Sequence, residues 1–172
     1  MNYPSLQKID KIRQQHLRPE VVGCVLYNKK LLFVYDQKHQ LWQLPQGGIN
    51  NKENIQEAIK REMQEELGES FSKKLKINSL VGDDKIIFPS SQTNTRHLQT
   101  DQGKDVAMKG KKYFFIAIDA SQQNLDISNT EFDDYKWFSY DSAMLFTNII
   151  YQKGKRRLTK NTLKALRGKQ LI

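Results

Sequence analysis

The chain has 172 residues and a formal net charge of +9, a size that suits one domain with a sizeable core. With 38% hydrophobic and 27% charged residues, and no apolar run of the roughly 20 residues that a membrane span needs, the composition excludes a transmembrane protein. A single cysteine excludes an internal disulfide, and the polar N-terminus carries no hydrophobic signal segment, so we expect a cytoplasmic protein.

Three apolar segments in the first third of the chain predict β-strands, at residues 21–27, 31–35 and 41–44. The third strand leads into a Leu-Pro-Gln-Gly-Gly turn at residues 44–48. Glycines at this point let the backbone approach a ligand closely and turn a carbonyl toward a metal ion. A plain tight turn explains the glycine pair equally well.

The next segment predicts an α-helix with defined ends. Asn54 and Glu57 form a capping box, so the helix should begin near Ile55. Gly68 follows Leu67 and provides a C-terminal stop.

Three carboxylates occupy positions i, i+3 and i+4 of this helix: Glu62, Glu65 and Glu66. On a helical wheel at roughly 100° per residue they flank the apolar stripe. Like charges this close repel one another, and a bound divalent cation such as Mg²⁺ would remove the repulsion. The alternative is an acidic surface helix without a ligand. The glycine turn, with Glu53 and Arg61 at fixed offsets, favours the metal site.

The second half of the chain predicts further strands and helices, and the fold class is α+β. Residues 75–81 and 85–88 read as a hairpin around Gly-Asp-Asp, and residues 111–118 and 135–138 as strands. A helix should begin after Asp141, and another at about Lys160. The polar segment 90–110 has almost no apolar pattern. It is either a loop that covers the cleft of the candidate metal site or a disordered loop without a function.

The net positive charge points to the kind of substrate. Lysine and arginine are dense at residues 109–112, 153–157 and 160–169, although the candidate metal site is acidic. A basic surface around such a site suits a polyanionic substrate longer than one nucleotide. A solvated basic face without a partner is the alternative.

The segment from the glycine turn through the helix resembles the signature of the Nudix hydrolases, which cleave nucleoside diphosphates linked to another group. The matching positions are Gly47, Glu53, Arg61, Glu62, Met63, Glu65, Glu66 and Gly68. One position departs, because Glu69 stands where an apolar residue is usual. The resemblance implies an α/β/α sandwich with a mixed β-sheet.

For the site, the resemblance implies that the metal ligands are Glu62, Glu65, Glu66 and the carbonyl of Gly47. Glu53 and Arg61 would pair behind these ligands and hold the loop against the helix. The expected ion is Mg²⁺, with Mn²⁺ as a substitute. Residues 1–17 would be an N-terminal extension to a Nudix domain at residues 18–172, with no role assigned to the extension.

The similarity extends to the bacterial RNA pyrophosphohydrolase branch through segments at residues 18–19, 42–50, 110–114 and 137–140. In that branch, the equivalent of Glu131 reaches the metals and is a candidate base. The residues implied to bind substrate are Arg18, Lys112, Tyr151 and Lys153. Two departures are Gln152, where a lysine often follows the aromatic residue, and Asp36, where relatives often carry arginine.

Three functions follow from the resemblance. The first is removal of pyrophosphate from 5′-triphosphate RNA, and the second is hydrolysis of dinucleoside polyphosphates such as diadenosine tetraphosphate. In both, Glu66 or Glu131 would activate the attacking water, with Glu65 also in the catalytic set. The third is a Nudix-derived module that binds nucleotide or RNA without cleaving it, and the intact acidic triplet argues against it. No membrane partner is expected, and no protein partner is indicated.

Overall fold

The structure, a computed structural model, describes residues 2–89, 91 and 96–172. Its strands are β1 (Leu17–Tyr27), β2 (Lys30–Asp36), β3 (Leu41–Gln43), β4 (Gln46–Gly48), β5 (Leu75–Ile87), β6 (His97–Gln99), β7 (Asp105–Ala107), β8 (Gly110–Ala120) and β9 (Asp134–Phe138). Its helices are α1 (Leu6–Gln14), α2 (Ile55–Leu67), α3 (Glu69–Ser72), α4 (Tyr140–Phe146) and α5 (Lys153–Gly168).

A seven-stranded mixed sheet forms the centre of the fold. Its order is β3-β2-β1-β8-β5, with β4 paired to β1 and β9 paired to β2. β1 and β8 run parallel, and the other neighbours are antiparallel. β1 is buried over most of its length because both faces of the sheet are covered.

Helices cover the two faces of the sheet and enclose two apolar cores. Apolar residues of α1 and α2 pack on one face, together with the Phe114 side of β8. Those of α4 and α5 pack on the other face, together with the Phe115 side. The predicted α+β class and the α/β/α sandwich with a mixed sheet are therefore confirmed.

The signature helix has the predicted ends. The side chain of Asn54 accepts hydrogen bonds from the main-chain nitrogens of Gln56 and Glu57, and the Glu57 carboxylate closes the capping box. Gly68 ends the helix with a φ of 81°, and a Cβ there would overlap the carbonyl oxygen of Asn129. Only glycine fits that turn without strain.

The predicted hairpin at residues 75–88 is wrong, because β5 runs without a turn through the Gly-Asp-Asp segment. Gly82 pairs with Phe115 of β8, and two register shifts precede it. A Cβ at Gly82 would lie 3.2 Å from both Phe115 and Ala165 of α5. The glycine therefore admits a close helix–sheet contact, which its sequence neighbourhood does not reveal.

The helix predicted from about Lys160 begins earlier, at Lys153. Gly154 lies in its first turn and reads locally as a helix breaker. A Cβ there would come within 3.3 Å of Ile86 on β5, so the glycine lets the helix pack closely on the sheet. The basic residues at positions 153–157 are therefore helical.

The segment predicted as a polar loop at residues 90–110 contains the short hairpin of β6 and β7. Its residues 90 and 92–95 lie outside the described part of the chain. The N-terminal residues form α1, which begins at the N-cap Ser5 and buries Ile9 completely in the core. Among the described helices, none is long and apolar enough to cross a membrane.

Candidate active site

The glycine turn and α2 meet at Gly47. Residues 46–48 form β4, which pairs with β1 and brings the main chain of the turn beneath the helix. A Cβ on Gly47 would overlap all three atoms of the Glu62 carboxyl group. Glycine at this position therefore allows the carboxylate of Glu62 to lie directly against the backbone.

Glu66, one helical turn after Glu62, is held to the same glycine turn by a hydrogen bond. Its Oε2 accepts a hydrogen bond of 2.7 Å from the main-chain nitrogen of Gln46. Burial raises the pKa of Glu66 well above its usual range, and the nearby charges of Glu62 and Glu131 raise it further. Burial also raises the pKa of Glu62, although Arg61 opposes this effect. Two acidic side chains therefore lie close together at a position that is largely shielded from water.

Arg61 joins the carboxylates to the loop before the helix. Its Nε and one terminal nitrogen donate to both oxygens of Glu53 at 2.8 Å. It also donates to the carbonyl of Gly48 at 2.8 Å, to Glu62 at 2.7 Å and to Glu65 at 3.1 Å. Burial disfavours the charge of Glu53, but the hydrogen bonds from Arg61 and the main chain outweigh it and lower the pKa. A planar guanidinium is suited to such multiple contacts.

The remaining predicted catalytic residues lie at the rim of this group. Glu65 is about half exposed, at 52%. Glu131 is exposed, and its main-chain nitrogen donates to the carbonyl of Glu66 at 3.1 Å. That bond ties the segment before β9 to the C-terminal end of α2 and explains why Glu131 contributes to the raised pKa of Glu66.

Within the described ranges, no three aspartate, glutamate, histidine or cysteine side chains converge as a ready metal site. Arg61 holds Glu62 and Glu65 in the orientations observed. The donors nevertheless suit a hard divalent cation, because they are carboxylate and carbonyl oxygens next to a backbone that has no Cβ. A bound cation would also offset the burial that chiefly raises the pKa values of Glu62 and Glu66, and the smaller contribution from neighbouring carboxylates. The ligand set itself stays a prediction.

The predicted substrate-binding residues are distributed around the turn and α5. The guanidinium of Arg18 lies against Gly48, where a Cβ would overlap it. Tyr151 is exposed and its hydroxyl donates to the carbonyl of His39 at 3.0 Å, while Lys153 is an exposed residue at the start of α5. Lys112 pairs instead with Asp83 of β5.

Lys111, rather than Lys112, faces the α5 side of the sheet, because neighbouring side chains of a strand alternate. Its Nζ lies 2.6 Å from Oε1 of Glu20, a carboxylate on β1 that is almost fully buried. Arg18 approaches the same oxygen at 3.7 Å. Neither Lys111 nor Glu20 is among the residues predicted from the sequence.

Lys155 is a further cation near the site that was not predicted from the sequence. Its Nζ donates to Oε1 of Gln43 at 3.3 Å. Burial lowers the pKa of Lys155 to about 8; the carboxylates of Glu20 and Glu66 oppose this shift, and Lys111 adds to it. Lys155 lies three and four positions before the buried Leu158 and Thr159. This spacing would have revealed its inward direction if the helix had been predicted to begin at Lys153.

A NUDIX domain model matches residues 17–161. An RNA pyrophosphohydrolase of Actinobacillus pleuropneumoniae is 33% identical over 151 residues, which cover 79% of this chain and 68% of the relative. An RNA pyrophosphohydrolase of Pseudomonas paraeruginosa is 28% identical over 155 residues, covering 85% and 94% of the two chains.

Solved structures share the fold. The dihydroneopterin triphosphate pyrophosphohydrolase of E. coli superposes with a TM-score of 0.59 at 14% identity, covering 86% of this chain and 97% of that one. The Ap4A hydrolase of C. elegans superposes with a TM-score of 0.54 at 16% identity, covering 90% and 98%.

Proposed function

The chain belongs to the Nudix hydrolases, a family that acts on phosphoanhydride bonds, and on that premise we propose that it removes pyrophosphate from the 5′-triphosphate ends of RNA. The proposed enzyme depends on a divalent cation, with Mg²⁺ as the first choice. Its proposed ligands are Glu62, Glu65, Glu66 and the carbonyl of Gly47.

One observation carries this proposal. The carboxyl group of Glu62 lies against Gly47, and Glu66 accepts from the neighbouring main-chain nitrogen of Gln46. Two acidic side chains from one helix face are thus held against a glycine turn, where burial raises both pKa values. A surface helix without a ligand has no need for this close approach.

In the proposed mechanism, the protein positions the groups that accept a proton and bind phosphate. A bound divalent cation supplies positive charge for the phosphate oxygens and makes nearby water more acidic. The main-chain hydrogen bond holds Oε2 of Glu66, so Oε1 would accept the proton from the attacking water. Glu131 is the second candidate for this step. Arg61, fixed by Glu53, keeps Glu62 from moving away from the turn.

We assign recognition of the RNA end to the cations beside the turn. Arg18 would contact the 5′ phosphates, Tyr151 would stack on the first base, and Lys153 would bind the backbone. Lys111 and Lys155 add positive charge on the α5 side of the sheet. We assign no phosphate contact to Lys112, which is held by Asp83.

A dinucleoside polyphosphate hydrolase is the second candidate, because it would use the same carboxylates. The relatives at 26–33% identity are named RNA pyrophosphohydrolases. The Ap4A hydrolase resembles this chain at only 16% identity, which supports the shared fold alone. The RNA substrate is therefore favoured.

The decisive experiment compares 5′-triphosphate RNA with diadenosine tetraphosphate in the presence of Mg²⁺. We expect kcat/KM to be at least about tenfold higher on the RNA, with release of pyrophosphate. RNA with a 5′-monophosphate is the matched control and should not react. A higher kcat/KM on the dinucleotide would favour the second candidate. Binding of both substrates without turnover, with Mg²⁺ or Mn²⁺, would favour a non-catalytic module.

A further inference from the structure

Arg13 is a buried arginine on α1 that reaches the loop before the signature helix. The residue is only 2% exposed. One terminal nitrogen of its guanidinium donates to the carbonyls of Ile49 and Asn50, at 3.0 and 2.7 Å. The other donates to Oδ1 of Asp101 at 3.1 Å. Three separate segments of the chain therefore meet at one side chain.

The β6–β7 hairpin completes this connection through the turn that joins its strands. Oδ1 of Asp101 also accepts from the main-chain nitrogen of Lys52 at 3.0 Å. The main-chain nitrogen of Asp101 donates to Asp10 of α1 at 2.7 Å. Asn51 donates to the carbonyl of Thr100 at 2.7 Å. The hairpin and α1 thus hold residues 49–52 from two sides.

The held segment connects directly to the carboxylates of the candidate site. The main-chain nitrogen of Asn50 donates to Oε2 of Glu53 at 2.7 Å. The carboxylate of Glu53 in turn accepts hydrogen bonds from two nitrogens of the Arg61 guanidinium. The third nitrogen of Arg61 donates to Oε1 of Glu62 at 2.7 Å. An unbroken series of hydrogen bonds therefore runs from Arg13 to Glu62.

We propose that Arg13 is a positioning residue for the metal site, which acts by fixing the loop at residues 49–52. The proposal rests on the proposed function. The NUDIX model matches the chain from residue 17, and α1 precedes that residue. Arg13 would therefore fix the loop from a helix outside the matched domain. The planar fork of arginine can bind two carbonyls and a carboxylate together, whereas the ammonium of lysine cannot reproduce that geometry.

The test measures Mn²⁺ binding by titration calorimetry on the full chain without substrate. For Arg13→Lys we expect the Kd for Mn²⁺ to rise about tenfold, the low end for residues that orient metal ligands. Arg167→Lys is the matched control. The side chain of Arg167 is 58% exposed, lies in the last turn of α5 and pairs with Asp141 of α4. Its Kd should stay within about twofold of wild type, as is usual for exposed substitutions.

A second variant covers the case in which Arg13→Lys does not fold. Asp101→Asn keeps the size of the side chain but weakens its contacts with Arg13 and Lys52. We expect a smaller rise of the Kd, about threefold. Thermal unfolding identifies the variants that are folded.

Kinetics with 5′-triphosphate RNA supply a readout that loss of stability alone would not change. In folded Arg13→Lys, more Mg²⁺ should be needed for half-maximal activity, the KM for RNA should stay unchanged, and saturating Mg²⁺ should restore kcat. A folded Arg13→Lys that binds Mn²⁺ like wild type, even with a lowered unfolding temperature, would overturn the proposal. If that variant does not fold, an unchanged Kd in Asp101→Asn would overturn it.

The outcomes separate this proposal from the proposed function. Wild type that binds Mn²⁺ but hydrolyses neither substrate would contradict the function and leave the Kd comparison intact. Wild type that hydrolyses RNA, with unchanged Mn²⁺ binding in the variants, would contradict only the role of Arg13. Wild type that binds no Mn²⁺ would overturn both.

Discussion

Replacing Glu66 by glutamine removes a charge and a proton acceptor with almost no change of shape. The amide oxygen of glutamine can still accept the 2.7 Å hydrogen bond from the main chain of Gln46. The position of the side chain should therefore be preserved. What is lost is the ability to take a proton and to bind a cation with a full negative charge.

The expected loss follows from those two roles. A positioned proton acceptor contributes about 10²–10⁴ in rate, so kcat of Glu66→Gln should fall at least about a hundredfold. That factor corresponds to about 2.7 kcal/mol at 1.36 kcal/mol per tenfold. Glu69→Gln is the matched control, since Glu69 is exposed and pairs with Lys73.

Stability provides an independent check on the same variant. Because burial raises the pKa of Glu66 in the folded state, the folded protein binds this proton more tightly than the unfolded chain does. Without metal, this residue should make wild type less stable as the pH rises above the normal glutamate pKa. Glu66→Gln should lack that decrease and be at least as stable as wild type at neutral pH.

The assay is release of pyrophosphate from 5′-triphosphate RNA with Mg²⁺, together with urea unfolding of the metal-free proteins at several pH values. A Glu66→Gln variant with kcat within about threefold of wild type would refute the assignment of Glu66 as base, since that loss is far below the range for such a group. Glu131 would then be the candidate. An unfolded variant is excluded by the urea curves.

Three further predictions concern the surroundings of the site. Gly47→Ala should weaken Mn²⁺ binding at least about tenfold in calorimetry, because its methyl group would displace Glu62; Gly168→Ala, where no atom lies within 4 Å of the added Cβ, is the control. Lys155 has a pKa lowered to about 8 in the folded state, so it should make wild type more stable as the pH rises from about 8 toward the normal lysine pKa. Urea midpoints of Lys155→Met should lack that rise, and an identical pH dependence would contradict the burial of this amine. If Lys153 contacts RNA phosphate, Lys153→Ala should reduce the slope of log affinity against log salt by about 0.7; an unchanged slope would remove Lys153 from the interface.

The sequence predicted those elements whose signals are local. Helix α2 begins at Ile55 and ends at Leu67, because the capping box and the terminal glycine act within a few residues. The hairpin predicted around the Gly-Asp-Asp segment is wrong, and the helix predicted from about Lys160 begins at Lys153. Gly82 and Gly154 each lie where helix α5 and the sheet pack closely, although glycine by itself favours a turn or the end of a helix. A glycine that serves long-range packing looks the same in sequence as one that serves a turn.

The substrate side of the site could be predicted only in part. Arg18, which the resemblance implied as a substrate-binding residue, lies at the glycine turn, but Lys111 and Lys112 are adjacent and both basic. Which of them faces α5 depends on the phase of β8 in the sheet, because a shift of one residue exchanges the two faces. Glu20 binds Lys111 across the parallel pair of β1 and β8, a contact between distant segments.

The acidic helix, its glycine turn and the family were determined by the sequence itself, because these signals depend on helical spacing, capping and a short motif. Tertiary structure alone decided what surrounds that helix. Arg13 reaches the carbonyl of Ile49 across 36 positions, and Lys155 reaches Gln43 across 112. Contacts at such separations arise from how the helices lie on the sheet, and no pattern within one segment encodes them.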